Sequence, residues 1–500
     1  MPETPLAAES FAQPSVDSVG RLARTGAKWS VSLLVARQII NIGTTAIVSR
    51  ILPASDFGMV VMVGTFTNFL LLISDMGLSW ATVQKQRLER EQIDTLFWFG
   101  AIFGGTAWAV CALGSPLVAE FYKTPELVLL CLILGSSLFI TGLAVQPMAL
   151  LKRQIRQREV ALTQTGAILV AGIVAVVFAW AGARYWSLVA QNITNALMLL
   201  AMSLYWSGYR PAFPKLSAGV LSLLKFGGYI GACNIITYIQ VNLDNILIGR
   251  YCGTEELGFY SRATALRTLP AMYAAIALTD IMVPALAAMQ GDRKRLENAF
   301  AKIIGVIAFI GCPIAACMGV TAEESVRLVY GLRWAPVIPL LIWLSLPALV
   351  LPLTQTIGWL FIASGKVRQM FFLSLSTLPV VAITYYAAVQ WGGAIGVAMA
   401  VAMLNSIPVP LFTMYCAHSA AGMSMWRTLK TVSPVFLACL VSAAGSLAVG
   451  YVSALYGMYW LVVLALKLAV FGSLYLWITA KLIRPFPISR LEKYVRLIVR

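Results

Sequence analysis

Histidine is almost missing from this chain: His418 is the one histidine in 500 residues. A single histidine excludes a metal centre built from several histidines, and near a membrane face it cannot complete a Ser–His–Asp catalytic set. The phosphate-cradling motif GxxxxGK[ST] does not occur in the sequence either, which argues against ATP hydrolysis. The eight cysteines stand singly without CxxC spacing, so they predict neither disulfides nor a metal site. We therefore predict that this protein is not an enzyme and has no cofactor.

Charge is also scarce, at 11% of residues, whereas 60% of residues are hydrophobic. A membrane span needs about 20 mostly apolar residues in a helix, because the hydrocarbon cannot satisfy free backbone groups. The sequence thus predicts an all-α polytopic membrane protein with about 14 transmembrane helices. The predicted spans are 28–50, 57–82, 95–119, 126–149, 158–182, 185–207, 222–249, 258–287, 299–320, 335–362, 369–391, 394–416, 429–451 and 457–482.

The lysines and arginines crowd into alternate gaps between these spans. With the N-terminus placed inside, twenty-seven of them fall on the inner side and eight on the outer side. This asymmetry follows the positive-inside rule, so both termini are predicted to be cytoplasmic. The formal charge of +17 then reflects topology, and we predict no nucleic-acid partner.

The sequence between and beyond the spans predicts the domain organisation. Residues 1–24 are predicted to be a disordered cytoplasmic tail without a signal peptide, and 483–500 a basic tail along the inner leaflet. Spans one to six form an N-lobe (25–207), and spans seven to twelve form a C-lobe (222–419). A linker with two prolines, 208–221, joins the lobes, and two further spans occupy 427–482.

A weak internal repeat supports the two lobes. The segment SRILPASDFGMV (49–60) aligns with GRYCGTEELGFY (249–260) at an offset of 200 residues, which pairs Gly58 with Gly258. Six spans separate the copies, so both have the same orientation. Parallel repeats of this kind build one class of secondary transporter, with substrate held between the halves.

Polar residues at membrane depth are the candidate functional residues, since charge in hydrocarbon is costly. In span one, Ser30, Arg37, Asn41 and Thr44 lie on one helical face. Arg37 is predicted to bind a phosphate or diphosphate, because guanidinium binds such groups in a bidentate manner. The alternative is a structural ion pair with a neighbouring acid.

Spans two, seven and eight contain further polar residues. Span two carries Asn68 and also Asp75, for which a structural pair is favoured over a gating role. Asp244 is predicted either to bind a coupling ion or to neutralise an arginine. Span seven is the most polar span, and one of its faces is predicted to line a substrate cavity, with Asn234, Thr237, Gln240, Asn242, Asp244 and Asn245. Asn234 and Asn242, together with Asn68, are predicted to bind substrate. In span eight, Arg267 is predicted to need either a partner or an anionic ligand, and Arg262 either binds substrate or is solvated near the outer surface. Asp280 is predicted to bind a coupling ion or to form a structural pair.

Lys467 lies near the middle of the last span, where a lysine cannot easily extend its charge to the membrane surface. A buried structural contact is favoured, and a lipid phosphate in a side groove is the alternative.

Several motifs resemble the polysaccharide-transporter branch of the MOP (multidrug/oligosaccharidyl-lipid/polysaccharide) exporter superfamily. They are RILPASDFGMV, LISDMGLSWATVQ, NLDNILIGRYCGTEELGFYSRATALRTLP, VPALAAMQGDRKRL and VYGLRWAPVIPLL. The resemblance covers about residues 20–420 and is most specific in 240–270 and 284–296.

This resemblance implies two six-helix lobes in a V around a cationic central cavity, plus two C-terminal helices. It further implies a bacterial inner-membrane flippase for undecaprenyl diphosphate-linked oligosaccharide in exopolysaccharide or lipopolysaccharide synthesis. By position, it implies that Arg37 and Arg267 or Arg262 are cavity arginines. The implied partners are the lipid-linked substrate, membrane lipids, and polymerase or export proteins of the same pathway.

Two other functions remain open at this point. One is a cation-coupled multidrug or small-solute exporter of the same superfamily, which would have twelve spans and isolated acids in its cavity. The other is an integral-membrane glycosyltransferase or polymerase, which would need a large outer loop. The longest predicted outer loop, about 321–334, is short for that role.

Overall fold

The computed structural model describes residues 16–75, 82, 89–213, 228–269 and 293–482, and these residues are mainly α-helical. Among them there is no β-strand. The helices are α1 (Val16–Ile51), α2 (Ala54–Asp75), α3 (Arg90–Tyr122), α4 (Leu127–Arg153), α5 (Gln157–Trp180), α6 (Trp186–Ser207), α7 (Gly228–Arg267), α8 (Arg293–Val320), α9 (Ala322–Val329), α10 (Val337–Ala363), α11 (Val367–Ser406), α12 (Pro408–Ala421), α13 (Met425–Leu455) and α14 (Trp460–Leu482), with a 3₁₀ turn at Leu332–Trp334.

Eleven segments of the described chain are long and apolar enough to cross a membrane. The all-helical, multi-pass prediction is therefore confirmed, while the number fourteen stays a prediction. The polar helix α7 does not meet the hydropathy of a span, and most of predicted span eight lies outside the described residues. Helices α11 and α12 form one apolar segment of 55 residues, which contains predicted spans eleven and twelve.

Two glycine bends divide the longest helices close to predicted span ends. Gly253 interrupts α7 with φ 86° and ψ −173°, inside the repeated segment 249–260. Gly393 interrupts α11 with φ 57°, between predicted spans eleven and twelve. Residues that carry a side chain rarely adopt such positive φ angles, whereas glycine does, so it permits a sharp bend at both sites.

The described chain forms two compact units, Met1–Gly258 and Phe259–Arg500. This division differs from the predicted one within 208–221. The first part of α7 belongs with the first unit because it contacts α2 there: the Tyr238 hydroxyl donates to the Thr65 carbonyl at 2.7 Å. In the second unit, α8, α10 and α13 share a core that includes Phe300, Leu360 and Val435.

The two copies of the repeat meet within the first unit. A Cβ atom at Gly58 would lie 1.7 Å from the Thr254 carbonyl oxygen, and one at Gly258 would lie 1.9 Å from the Ala54 carbonyl oxygen. Adding 200 to Gly58 and subtracting 200 from Thr254 gives Gly258 and Ala54, the two residues of the other contact. The repeat therefore makes reciprocal contacts, as in a two-fold symmetric interface, at backbone distances that only glycine allows.

The predicted tails and linker are described in part. Helix α1 begins at Val16, so residues 16–24, which were predicted to be disordered, are helical. Residues 1–15, 214–221 and 483–500 lie outside the described residues. The first linker residues are anchored on α3: Asp94 accepts a hydrogen bond from the Tyr209 hydroxyl, and Trp98 Nε1 donates to the Ala212 carbonyl at 2.8 Å.

Candidate functional site

Arg37 of α1 is held by an amide of α5. Its Nη1 atom donates to Gln164 Oε1 at 2.6 Å, and the side chain is half-buried. Helices α1 and α5 pack closely here, and Thr44 contacts α5 at Gly172 further along α1. A guanidinium has five N–H donors, so one amide oxygen leaves most of them for another acceptor.

No carboxylate forms an ion pair with Arg37 within the described ranges. The partner that orients this guanidinium is neutral, so the positive charge is not cancelled there. Such an arrangement is suited to an anionic ligand, because a charge-assisted hydrogen bond to phosphate is stronger than one to an amide. Sequence reasoning missed Gln164. The polar run Thr163–Gln164–Thr165 in an otherwise apolar span was the signal that could have identified it.

Two predicted amides are exposed on α1 and α2. Asn41 lies one turn after Arg37, and Asn68 follows the buried Thr65. Neither amide forms a hydrogen bond with another residue in the described part of the chain. Both are therefore available to hydroxyl or phosphate groups.

The polar residues of α7 are largely engaged with their own helix. Asn242 Nδ2 donates to the Tyr238 carbonyl at 3.0 Å, and Asn245 Nδ2 reaches Asn242 Oδ1 at 3.5 Å. Asp244 is buried, and its Oδ1 accepts the backbone N–H of Asn245 at 2.8 Å. Asn242 thus retains one amide hydrogen for a ligand, whereas Asp244 faces protein.

The two arginines at the end of α7 lie in the second unit. Arg267 is half-buried, and its Nε atom is buried without a hydrogen-bond acceptor among the described residues. A buried donor without an acceptor costs free energy, which a bound anion would recover. The backbone carbonyl oxygen of Arg262 accepts a hydrogen bond from the Tyr330 hydroxyl, with 3.4 Å between the two oxygen atoms. Burial raises the pKa of Tyr330 although the Arg262 charge opposes the rise, so this phenol remains a donor.

Lys467 of α14 is paired with an acid. Its Nζ atom lies 2.6 Å from Glu324 Oε1 of α9 and donates to the Val320 carbonyl at 3.3 Å. Both side chains are nearly buried, at 11% and 7% exposure. A lipid phosphate could reach this ammonium only if the ion pair opened.

The remaining predicted site residues lie beyond what the structure describes. They are Asp280 entirely, and the side chains of Asp75 and Asn234. Where the chain is described, no three His, Cys, Asp or Glu side chains are grouped as metal ligands.

A family profile described as "Polysaccharide biosynthesis protein" matches residues 47–339. The chain is 26% identical to the lipopolysaccharide biosynthesis protein WzxC of Escherichia coli (strain K12), covering 86% of this chain and 87% of that protein. It is 24% identical to the teichuronic acid biosynthesis protein TuaB of Bacillus subtilis (strain 168), covering 78% and 81%. It is also 28% identical to the succinoglycan biosynthesis transport protein ExoT of Rhizobium meliloti (strain 1021), covering 64% of each chain.

Solved structures show the same fold at low sequence identity. The lipid II flippase MurJ in an inward closed conformation superposes with a TM-score of 0.67 at 14% identity, covering 91% of this chain and 99% of that one. An inward-facing multidrug MATE transporter of the MOP superfamily superposes with a TM-score of 0.61 at 14% identity, covering 79% and 98%. These likenesses show the MurJ/MATE type of fold.

Proposed function

This chain belongs to the polysaccharide biosynthesis protein family, and we propose that it is a flippase for lipid-linked oligosaccharide. The substrate is an undecaprenyl diphosphate-linked repeat unit for exopolysaccharide or lipopolysaccharide synthesis. By alternating access, the protein moves this unit from the cytoplasmic to the periplasmic leaflet of the bacterial inner membrane. Both termini are cytoplasmic, in agreement with the distribution of lysine and arginine.

The observation that supports this proposal best is Arg37 with its neutral partner Gln164. A diphosphate carries negative charge into the membrane and needs fixed positive charge to offset lost hydration. A structural arginine at membrane depth would be expected to have a carboxylate partner, and no carboxylate pairs with Arg37 in the described regions. Arg267, whose Nε has no acceptor there, adds a second cation of the same kind.

The other polar residues suit the sugar part of the substrate. Asn41 and Asn68 expose amides, and Asn242 keeps one amide hydrogen. Saccharides present many hydroxyl groups, which amides bind as both donors and acceptors. A small number of cations also suits transport, since a flippase must release its substrate after binding it.

A cation-coupled exporter of the same superfamily is the second candidate. The buried carboxylate of Asp244 and the superposition on a multidrug transporter favour it. The similar curated proteins, however, are named for polysaccharide synthesis or transport. The positive charges of Arg37 and Arg267 also suit an anionic substrate better than a cationic drug.

The sharpest test converts the neutral partner of Arg37 into an acid. We expect Gln164→Glu to pair with Arg37 at the same distance, to leave the protein folded, and to reduce flipping of lipid-linked oligosaccharide in proteoliposomes at least ten-fold. Arg37→Ala should abolish flipping, and Arg37→Lys should retain part of it because a point charge loses the bidentate geometry.

The matched control is Gln157→Glu, the same change at the first residue of α5, where a helix N-terminus tolerates negative charge. Its flipping rate should equal that of the unmodified protein. Wild-type flipping by both Arg37→Ala and Gln164→Glu would show that no diphosphate binds at this arginine. Drug export without any effect on lipid-linked sugar would favour the second candidate.

A further inference from the structure

A cleft of about 550 Å³ opens in the second unit, between the beginning of α11 and the end of α12. Its described lining includes none of the residues predicted to bind substrate. One wall is formed by Lys366, Gln369 and Phe372, and the other by Tyr415, Ser419 and Ala420. Lys366, which directly precedes α11, and Gln369 and Phe372 within α11 recur at intervals of three, so they lie along one side of the helix.

The mouth of this cleft is polar and cationic. Lys366 immediately precedes α11, and Lys366, Gln369 and Ser419 are all exposed. Their side chains make no hydrogen bond or ion pair with any other described residue. Among the described residues that line the cleft there is no carboxylate. The mouth therefore offers three donors and one uncompensated positive charge to a ligand that accepts hydrogen bonds.

Further along the helices, the cleft has an apolar wall. Phe372 is 51% exposed and Tyr415 is 63% exposed, although both belong to a segment apolar enough to cross a membrane. The guanidinium of Arg368 lies 5.6 Å from the Phe372 ring centre, which brings a second cation close to the mouth. Cations beside exposed aromatic rings at a helix end are typical of the membrane–water interface.

We propose that this cleft binds an anionic glycerophospholipid of the surrounding membrane. The lipid phosphate contacts Lys366, Gln369 and Ser419, and the first part of an acyl chain lies against Phe372 and Tyr415. Charge complementarity selects this occupant, because the mouth carries cations without acids. A zwitterionic lipid would bring its own ammonium group towards Lys366 and Arg368, where like charges repel. The site is separate from the proposed transport function and does not depend on it.

The polyprenyl carrier of the proposed substrate is the other source of a lipid phosphate. Its diphosphate is matched by arginines such as Arg37, which can bind in a bidentate manner. The cleft instead offers a lysine as a point charge together with neutral donors, a set that suits a single phosphate diester.

Native mass spectrometry of the delipidated full-length protein tests the proposal with three probes. They are phosphatidylglycerol, phosphatidylcholine with the same acyl chains, and undecaprenyl diphosphate. We expect phosphatidylglycerol to bind best. Lys366→Gln should weaken its binding about five-fold, as expected for one basic residue near an anionic lipid surface. Ala420→Leu, which fills the cleft without changing charge, should weaken it as well.

Arg427→Gln is the matched control, because it removes one exposed cation at the beginning of α13, outside the cleft. It should leave phosphatidylglycerol binding unchanged. Equal binding of the two phospholipids, or equal effects of Lys366→Gln and Arg427→Gln, would overturn the proposal. Tighter binding of undecaprenyl diphosphate that is lost in Lys366→Gln would assign the cleft to the carrier lipid and would also overturn the proposal. If Ala420→Leu does not fold, Lys366→Gln with its control decides the result.

Discussion

Arg37 and Lys467 are both cations within predicted spans, yet their neighbours differ in charge. Arg37 is oriented by the amide of Gln164, whereas Lys467 is neutralised by the carboxylate of Glu324. An amide fixes the position of a cation without removing its attraction for anions. A carboxylate removes that attraction and leaves a buried ion pair, which mainly matters for stability.

The ion pair between Lys467 and Glu324 allows a stability prediction. Lys467→Met leaves the Glu324 carboxylate buried and uncompensated, so we expect a loss of about 3 kcal/mol in the free energy of unfolding. Lys467→Met combined with Glu324→Leu should recover most of that loss, because no charge remains buried. Thermal unfolding in detergent measures both.

A second ion pair, on the same helix α9 that carries Glu324, serves as the control. Arg327 and Glu323 lie 2.7 Å apart with side chains 36% and 53% exposed. Glu323→Gln should therefore change stability by less than about 0.5 kcal/mol. If Lys467→Met costs no more than Glu323→Gln, the ion pair does not stabilise the second unit.

At the scale of helices and their connections, the chain leaving α6 is anchored on α3. Tyr209 and Asp94 are both buried, and the carboxylate also accepts the backbone N–H of Ala212 at 3.3 Å. Burial, and then the hydrogen bond to Asp94, raise the pKa of Tyr209 well above its usual value, so the phenol stays a donor. The ring of Phe213 stacks on the ring of Trp98, with 6.3 Å between the ring centroids. The predicted linker therefore begins as an ordered segment.

Removing one hydroxyl should loosen this anchor. Tyr209→Phe leaves one buried acceptor position of Asp94 unsatisfied, which costs about 1–3 kcal/mol. We expect faster tryptic cleavage after Lys215, three residues beyond Ala212 in the sequence, since the bond after Arg210 precedes Pro211 and resists trypsin. The control is Tyr205→Phe, because Tyr205 is 78% exposed. Unchanged cleavage in Tyr209→Phe would mean that stacking alone holds the segment.

At the scale of the whole molecule, the reciprocal contact between the repeats leaves the least room for a side chain among the glycines that the structure describes. Gly58 meets Thr254, and Gly258 meets Ala54, both through backbone atoms that cannot move aside as a side chain can. Any side chain at either glycine must separate segments 54–58 and 254–258. The predicted orientation places this contact on the extracytoplasmic side, where the Cys252 thiol lies close by in sequence.

We expect Gly58→Ala and Gly258→Ala each to increase labelling of Cys252 by a membrane-impermeant maleimide and to reduce flipping. Because both glycines serve one interface, the double variant should be little worse than either single variant, so the effects should not add. Gly472→Ala is the control, since a Cβ there meets no atom within 4 Å. Fully additive effects, or unchanged labelling, would contradict a shared contact.

Local patterns in the sequence were sufficient for the membrane class and for the candidate charges. Hydrophobic runs predicted helices because a membrane requires internally bonded backbone. The 200-residue offset paired Gly58 with Gly258, and in the structure each of them lies against the backbone of the other copy of the repeat. The predicted lobes and their linker stay a prediction, while the described chain divides into compact units after Gly258, and the first part of α7 contacts α2 in the first unit.

Only the tertiary structure decided which charges are cancelled. Gln164 is 127 residues from Arg37, and Glu324 is 143 residues from Lys467. Helical periodicity reports which residues share a face, but it does not report which distant helix packs against that face. The sequence by itself therefore determined that cations lie at membrane depth. The packing of α5 on α1 left the charge of Arg37 available, and the approach of α9 to α14 neutralised Lys467.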